Sequence, residues 1–217
     1  MKKYLSLFTL FICFSISAQD IYLHCGKIID TESGKVLTKK TIIVSSDKIV
    51  AIKNGYISSE NPLDKEIDLK SKTVMPGLID LHVHIESEFN PQKYMNAFTA
   101  NDADIAFGSL KFAEITLMAG FTTVRDLGGS GINISLRDAI AKGEVVGPRI
   151  FTAGKAIGTT GGHADPTNGW KNSLRGDPGP KEGVINSVDE AKKAVRQRYK
   201  DGADNIKITA TGGVMSI

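Results

Sequence analysis

From Pro76 onward the chain alternates short apolar runs with stretches of helical period, and that rhythm narrows the fold more than any other feature. Pro76-Gly77-Leu78-Ile79-Asp80-Leu81-His82-Val83-His84 is the first run. Leucine, isoleucine and valine behind a Pro-Gly break read as a buried strand of about five to eight residues. Ala106, Leu110, Ala113 and Leu117 then recur at helical spacing, closed by Gly120 where a helix C-terminus favours glycine. Thr122-Thr123-Val124 predicts a second strand, ending at Arg125-Asp126 and Gly128-Gly129. Leu136, Ala139 and Ile140 mark a short helix stopped by Gly143, and Ile150-Phe151-Thr152-Ala153 a third strand. Ser187-Val188-Asp189-Glu190 is a capping box opening a helix with Ala191, Val195 and Tyr199 on one face. Ile206-Lys207-Ile208-Thr209 predicts a fourth strand. Strands and helices in this order specify a parallel sheet with right-handed crossovers. The expectation is an α/β fold, the N-terminal half of a (β/α)8 TIM-like barrel, since polar and glycine-rich segments cluster after the strands. A doubly wound sheet is the alternative, but no Gly-x-Gly-x-x-Gly follows the first strand, which argues against a dinucleotide fold.

Ahead of the barrel, residues 20–75 read as a β-sandwich segment. Ile21-Tyr22-Leu23, Gly26 to Asp30, Thr41 to Val44 and Ile49 to Ile52 alternate with turn residues, and Asn54-Gly55 is a strong turn signal. The pattern predicts an all-β meander without chemistry; adjacent His24 and Cys25 face opposite sides of a strand and are structural. Residues 1–18 have the form of an export signal: Lys2 and Lys3, an apolar Leu5 to Phe14, then small residues to Ala18. The apolar run is too short to span a bilayer comfortably. An exported chain, periplasmic or secreted and off the membrane after cleavage, is expected. It would keep only Cys25 and form no intrachain disulfide. The net charge is +3, of which Lys2 and Lys3 supply two, so nothing points to nucleic acid as a partner. With 41% apolar and 24% charged residues the composition is that of a globular protein, not a disordered one.

The chemistry concentrates at His82 and His84. In a strand they point the same way, roughly 6–7 Å apart. Two imidazoles on one face at a strand's end can hold a divalent cation, the nitrogen-donor geometry that zinc favours. The loop from Ile157 to Asn186, with seven glycines and three prolines, is long for a strand-to-helix connection. Such loops usually serve as lids or mobile segments. Within it, Trp170 suits either a hydrophobic wall for substrate or a loop anchor.

Five pieces in order resemble the amidohydrolase superfamily of metal-dependent hydrolases, its imidazolonepropionase-like and Xaa-Pro-dipeptidase-like branch. They are Pro76 to His84, Thr122-Thr123-Val124-Arg125-Asp126, Gly147-Pro148-Arg149, Thr160-Gly161-Gly162-His163, and Ile206-Lys207-Ile208 followed by Ala210-Thr211-Gly212-Gly213-Val214. The resemblance implies a barrel over 76–217 with a small β-sandwich beside it. It makes His82 and His84 metal ligands and Lys207 a carboxylated lysine bridging two metals, zinc in the intact site. An ordinary ammonium between Ile206 and Ile208 in a barrel strand would be expensive to desolvate, which suits that modification. His163 would contact substrate. Asp126, with Arg125 as an ion-pair partner, would support the site from behind. The family's later histidines and its general-base aspartate fall beyond Ile217, so no catalytic residue is assigned, and open sheet edges invite a complementary piece or a second copy. The implied activity is hydrolysis of C–N bonds in small substrates such as Xaa-Pro dipeptides, by hydroxide formed at the metals. A non-enzymatic fragment and a cyclic-amide hydrolase of the dihydroorotase kind are the alternatives.

Overall fold

The computed structural model describes residues 19–213, so the export signal expected at 1–18 lies outside the described residues. The chain divides into two compact units, Met1–Pro76 and Gly77–Ile217.

In the first unit, β1 (Asp20–Asp30), β2 (Lys35–Ser45), β3 (Lys48–Asn54) and β4 (Lys65–Val74) form one sheet in the order β3-β2-β1-β4. The first three strands pair antiparallel, but β4 runs parallel to β1. The expected meander therefore holds for three strands and fails for the fourth. The cause is the segment after β3, which crosses the sheet and is pinned there. The Thr41 hydroxyl donates to the Gly55 carbonyl (2.8 Å) and accepts from the Ile57 amide (3.0 Å), and His24 Nε2 donates to the Ile57 carbonyl (3.0 Å). That crossing delivers the chain to the open edge of β1. It also covers His24, while Cys25 on the opposite face joins a core of Ile28 and Ile42. Both residues are thus buried, and burial pushes the Cys25 thiol up from its ordinary value.

Where β1 bulges against β4, a Cβ on Gly26 would lie 2.0 Å from the Lys70 carbonyl oxygen. The obstacle is backbone, which cannot rotate aside. Gly26→Ala is expected to destabilise this unit at the upper end of about 1–3 kcal/mol. Urea unfolding checks it: the midpoint should fall with the slope unchanged.

The second unit contains β5 (Leu78–Val83), α1 (Lys93–Thr99), α2 (Asp102–Met118), β6 (Phe121–Asp126), α3 (Ile132–Ala141), β7 (Arg149–Thr152), α4 (Asn172–Arg175) and α5 (Val188–Asp201). The strands β5-β6-β7 make a parallel sheet in that order. Gly77 opens it because a Cβ there would meet the Thr122 side chain at 2.1 Å. One sheet face packs on helices: Ile85, Val124 and Ile150 meet Ala113 of α2 and Leu136 of α3. Earlier in β5, where the pairing with β6 shifts register on either side of Ile79 and Asp80, Ile79 and Leu81 are 61% and 56% exposed.

Two expectations need correction. The Ile206 to Thr209 segment is not a regular strand; it makes a single parallel bridge, Ile157 with Ile208. The reason is that β7 stops at Thr152, whose amide and carbonyl are taken by the Asp204 side chain and amide (both 2.8 Å). Pairing resumes only at Ile157, whose amide donates to Lys207 O (2.9 Å) and whose carbonyl accepts from the Thr209 amide (2.8 Å). Helix α5 begins as read, with the Ser187 hydroxyl accepting from the Glu190 amide, but the Glu190 carboxylate reaches the Asn186 amide (2.6 Å). Its buried residues are Ala194 and Arg198, whereas Val195 and Tyr199 are 43% and 84% exposed. Arg198 sets that orientation, donating through Nε to Lys155 O (2.7 Å) and through a terminal nitrogen to Lys181 O (3.3 Å). The unit is thus a mixed α/β fold. Among the described residues, no helix is long and apolar enough to cross a membrane.

Candidate metal and substrate site

His82 is near the C-terminal end of β5 and His84 is the first residue after it, with both side chains on the cavity. Their rings are 5.5 Å apart, edge to face. Both line a cavity of about 820 Å³ whose wall also includes Lys207 and His163. Four of the six residues singled out in the sequence therefore share one cavity. Asp126 and Arg125 do not line it. Alternation along β6 buries Asp126 completely and leaves Arg125 exposed, so among the described residues the expected ion pair between them is not made. Arg125 Nε instead donates to the Leu81 carbonyl (2.8 Å).

The two imidazoles are held in different ways. Desolvation and the positive field of Lys207 push the His82 pKa below the ordinary histidine value. The His84 Nδ1 sits 2.7 Å from the Gly128 carbonyl oxygen, which can only accept. Nδ1 therefore carries a proton, and in the neutral ring Nε2 is the nitrogen with the lone pair. A backbone carbonyl holding the far side of an imidazole is the outer-shell contact typical of metal-ligating histidines. The pair thus fits a divalent metal. Among the described residues, no group of three or more His, Cys, Asp or Glu side chains could hold an ion.

Lys207 is half-buried and its neighbours Ile206 and Ile208 are 41% and 64% exposed. It stands on the cavity wall, near enough to His82 to depress that pKa.

Buried or backbone-bound carboxylates organise the walls, and sequence reasoning missed two of them. Glu86 accepts from the Ser130 amide (2.6 Å) and the Asn133 amide (2.8 Å), fastening the loop that enters α3. Asp165, 8% exposed, accepts from the Gly161 amide (2.8 Å) and from the Thr167 amide and hydroxyl (2.9 and 2.7 Å). Those bonds outweigh its burial and hold its carboxyl below the usual range, while it folds the turn that carries His163. Asp165-Pro166-Thr167 was a readable turn signal. The loop from Ile157 to Asn186 is internally bonded, Gly158 pairing with Val184, and Trp170 stacks on Phe98 at 4.9 Å between ring centres.

Comparison with known proteins agrees with this geometry. The Amidohydrolase family profile matches residues 73–217. A solved Xaa-Pro dipeptidase with methionine bound in its active site is 48% identical, with a TM-score of 0.84 over 91% of this chain and 48% of that one. A solved prolidase complexed with N-methylphosphonate-L-proline is 35% identical, with a TM-score of 0.75 over 91% of this chain and 48% of that one. Ochratoxinase of Aspergillus niger is 29% identical over 89% of this chain and 42% of its own length. The chain spans about half the length of these relatives. With two thirds of its residues inside the profile, and the histidine pair, His163 and Lys207 on one cavity wall, the chain belongs to the amidohydrolase family.

Proposed function

We propose that this chain carries part of the active site of an exported, metal-dependent hydrolase that cleaves the C–N bond of small substrates, Xaa-Pro dipeptides foremost. The observation that carries the reading is the shared cavity: His82 and His84 side by side, with Lys207 and His163 on the same wall. Likeness to the Xaa-Pro dipeptidase and the prolidase supports the substrate class. Under this reading the second unit is the first half of a (β/α)8 barrel, and the first unit is a β-sandwich segment. His82, His84 and a carboxylated Lys207 would hold the divalent metal, two zinc ions in the intact site, and that metal would supply Lewis-acid polarisation of the scissile carbonyl and a more acidic water. The Gly128 carbonyl orients His84. His163, on the turn tied by Asp165, contacts the substrate. Asp126 supports the histidine strand from its buried side, and Arg125 holds the Leu81 carbonyl on the other.

The test is a panel of Xaa-Pro dipeptides, N-acyl amino acids and cyclic amides offered to the full chain with added zinc. Turnover of the dipeptides, abolished in His82→Asn and His84→Asn, is the expected result. Zinc binding without turnover of any substrate would favour a second reading, a non-enzymatic metal-binding fragment. The two-residue His/Cys/Asp/Glu donor set among the described residues is what favours it.

A further inference from the structure

We infer that Asp126 is a positioning residue for His84, acting through the Gly128 peptide rather than by touching the imidazole. The Asp126 carboxylate has no exposed surface. One oxygen accepts from the Ile85 amide at 3.0 Å, immediately after His84 in the chain. The other accepts from the Gly128 amide at 3.1 Å, and the same glycine's carbonyl takes the His84 Nδ1 proton at 2.7 Å. Asp126 thus fixes both ends of a short loop: the backbone that carries His84 and the backbone that orients its ring. The Leu127 amide also donates to Val83 O (3.1 Å), a further tie between the ends of β5 and β6.

Gly128 suits this task. Its φ is +145°, a conformation that side chains rarely adopt, and a Cβ there would lie 3.7 Å from the His84 ring. In water the neutral histidine side chain favours the proton on Nε2, which would block the nitrogen facing the cavity. Clamping the Gly128 carbonyl against Nδ1 reverses that choice, so the lone pair is presented before any ion arrives. The inference rests on the proposed metal-binding role of His84, but its geometric content concerns the metal-free chain.

The experiment is long-range ¹H–¹⁵N correlation of the histidine rings in the metal-free full chain, at a pH where they are neutral, with the His84 signals assigned by His84→Gln. Wild type should show His84 protonated on Nδ1. Asp126→Asn keeps the shape but can accept only one of the two amides, so His84 should revert towards the Nε2–H form and zinc affinity should fall by about 10- to 100-fold. An Nε2–H tautomer in wild type overturns the inference outright, whether or not the variants fold. So does an Asp126→Asn protein that keeps the Nδ1–H form. An absence of peptidase activity, with the tautomer as expected, would count against the proposed reaction and leave the positioning role standing.

Discussion

Asp126→Ala should lower the unfolding free energy by about 2–4 kcal/mol. The substitution strands two buried amides, Ile85 and Gly128, each costing about 1–3 kcal/mol when left without an acceptor. Part of that loss is returned, because a carboxylate with no exposed surface is itself expensive to bury. That expense is visible in the Asp126 pKa, which desolvation raises above the usual carboxylate range although the two amide bonds oppose it. A sign follows. The folded state holds the Asp126 proton to higher pH than the unfolded chain does. Its contribution to stability is fully present below the ordinary carboxylate pKa and fades as pH rises through the raised one. Asp165, Glu182 and Asp30 are shifted down and contribute with the opposite sign, so the wild-type profile alone is a mixture. The difference between wild type and Asp126→Asn isolates the residue: wild type should lose more stability than the variant as pH rises above about 4. Urea unfolding at several pH values measures both effects. A loss below about 1 kcal/mol in the alanine variant would mean the amides find other acceptors.

Arg198 should give the second large effect, with a particular pattern. It is 1% exposed, and one guanidinium nitrogen, Nη2, is buried without a hydrogen-bond partner among the described residues. Burial holds the guanidinium below the ordinary arginine value, with Asp201 a partial offset at 3.8 Å. Arg198→Ala removes the packed stem and the bonds to Lys155 O and Lys181 O, and should cost about 2–3 kcal/mol. Arg198→Met keeps the stem and removes the buried charge. Replacing a buried ionic group by an apolar one of similar volume is often neutral or better, so methionine should cost less than half as much as alanine. Equal losses in the two variants would show that the two carbonyl bonds, not the packing, fix α5. Thermal or urea unfolding decides it.

What the sequence disclosed follows the range of the forces involved. The strands β5 and β6 and the helices α2 and α3 were legible because period, glycine stops and apolar runs are local signals. The histidine pair was legible for the same reason, since alternation along one strand needs no knowledge of the rest. The parallel pairing of β4 was not, because it depends on the Thr41 and His24 bonds that carry the preceding segment across the sheet. Nor was the buried face of α5, where the apolar residues Val195 and Tyr199 misled: a buried arginine bonded to two distant carbonyls outweighed the hydrophobic stripe. Lys207 was placed by motif order, and the cavity it lines agrees, but the strand expected around it shrinks to a single bridge. Glu86 and Asp165 escaped notice because carboxylates that bind backbone amides leave only a faint trace in residue spacing.

The account depends on His82 and His84 acting together as donors to one divalent ion at the cavity wall. Zinc titration of the ¹⁵N-histidine-labelled full chain tests this most directly. His24 serves as an internal control, since its Nε2 is engaged by Ile57 in the other unit. The account predicts that the ring nitrogens of His82 and His84 shift together and saturate at the same zinc concentration while His24 stays in place. Independent titration of the two rings, or no response in either, would contradict it.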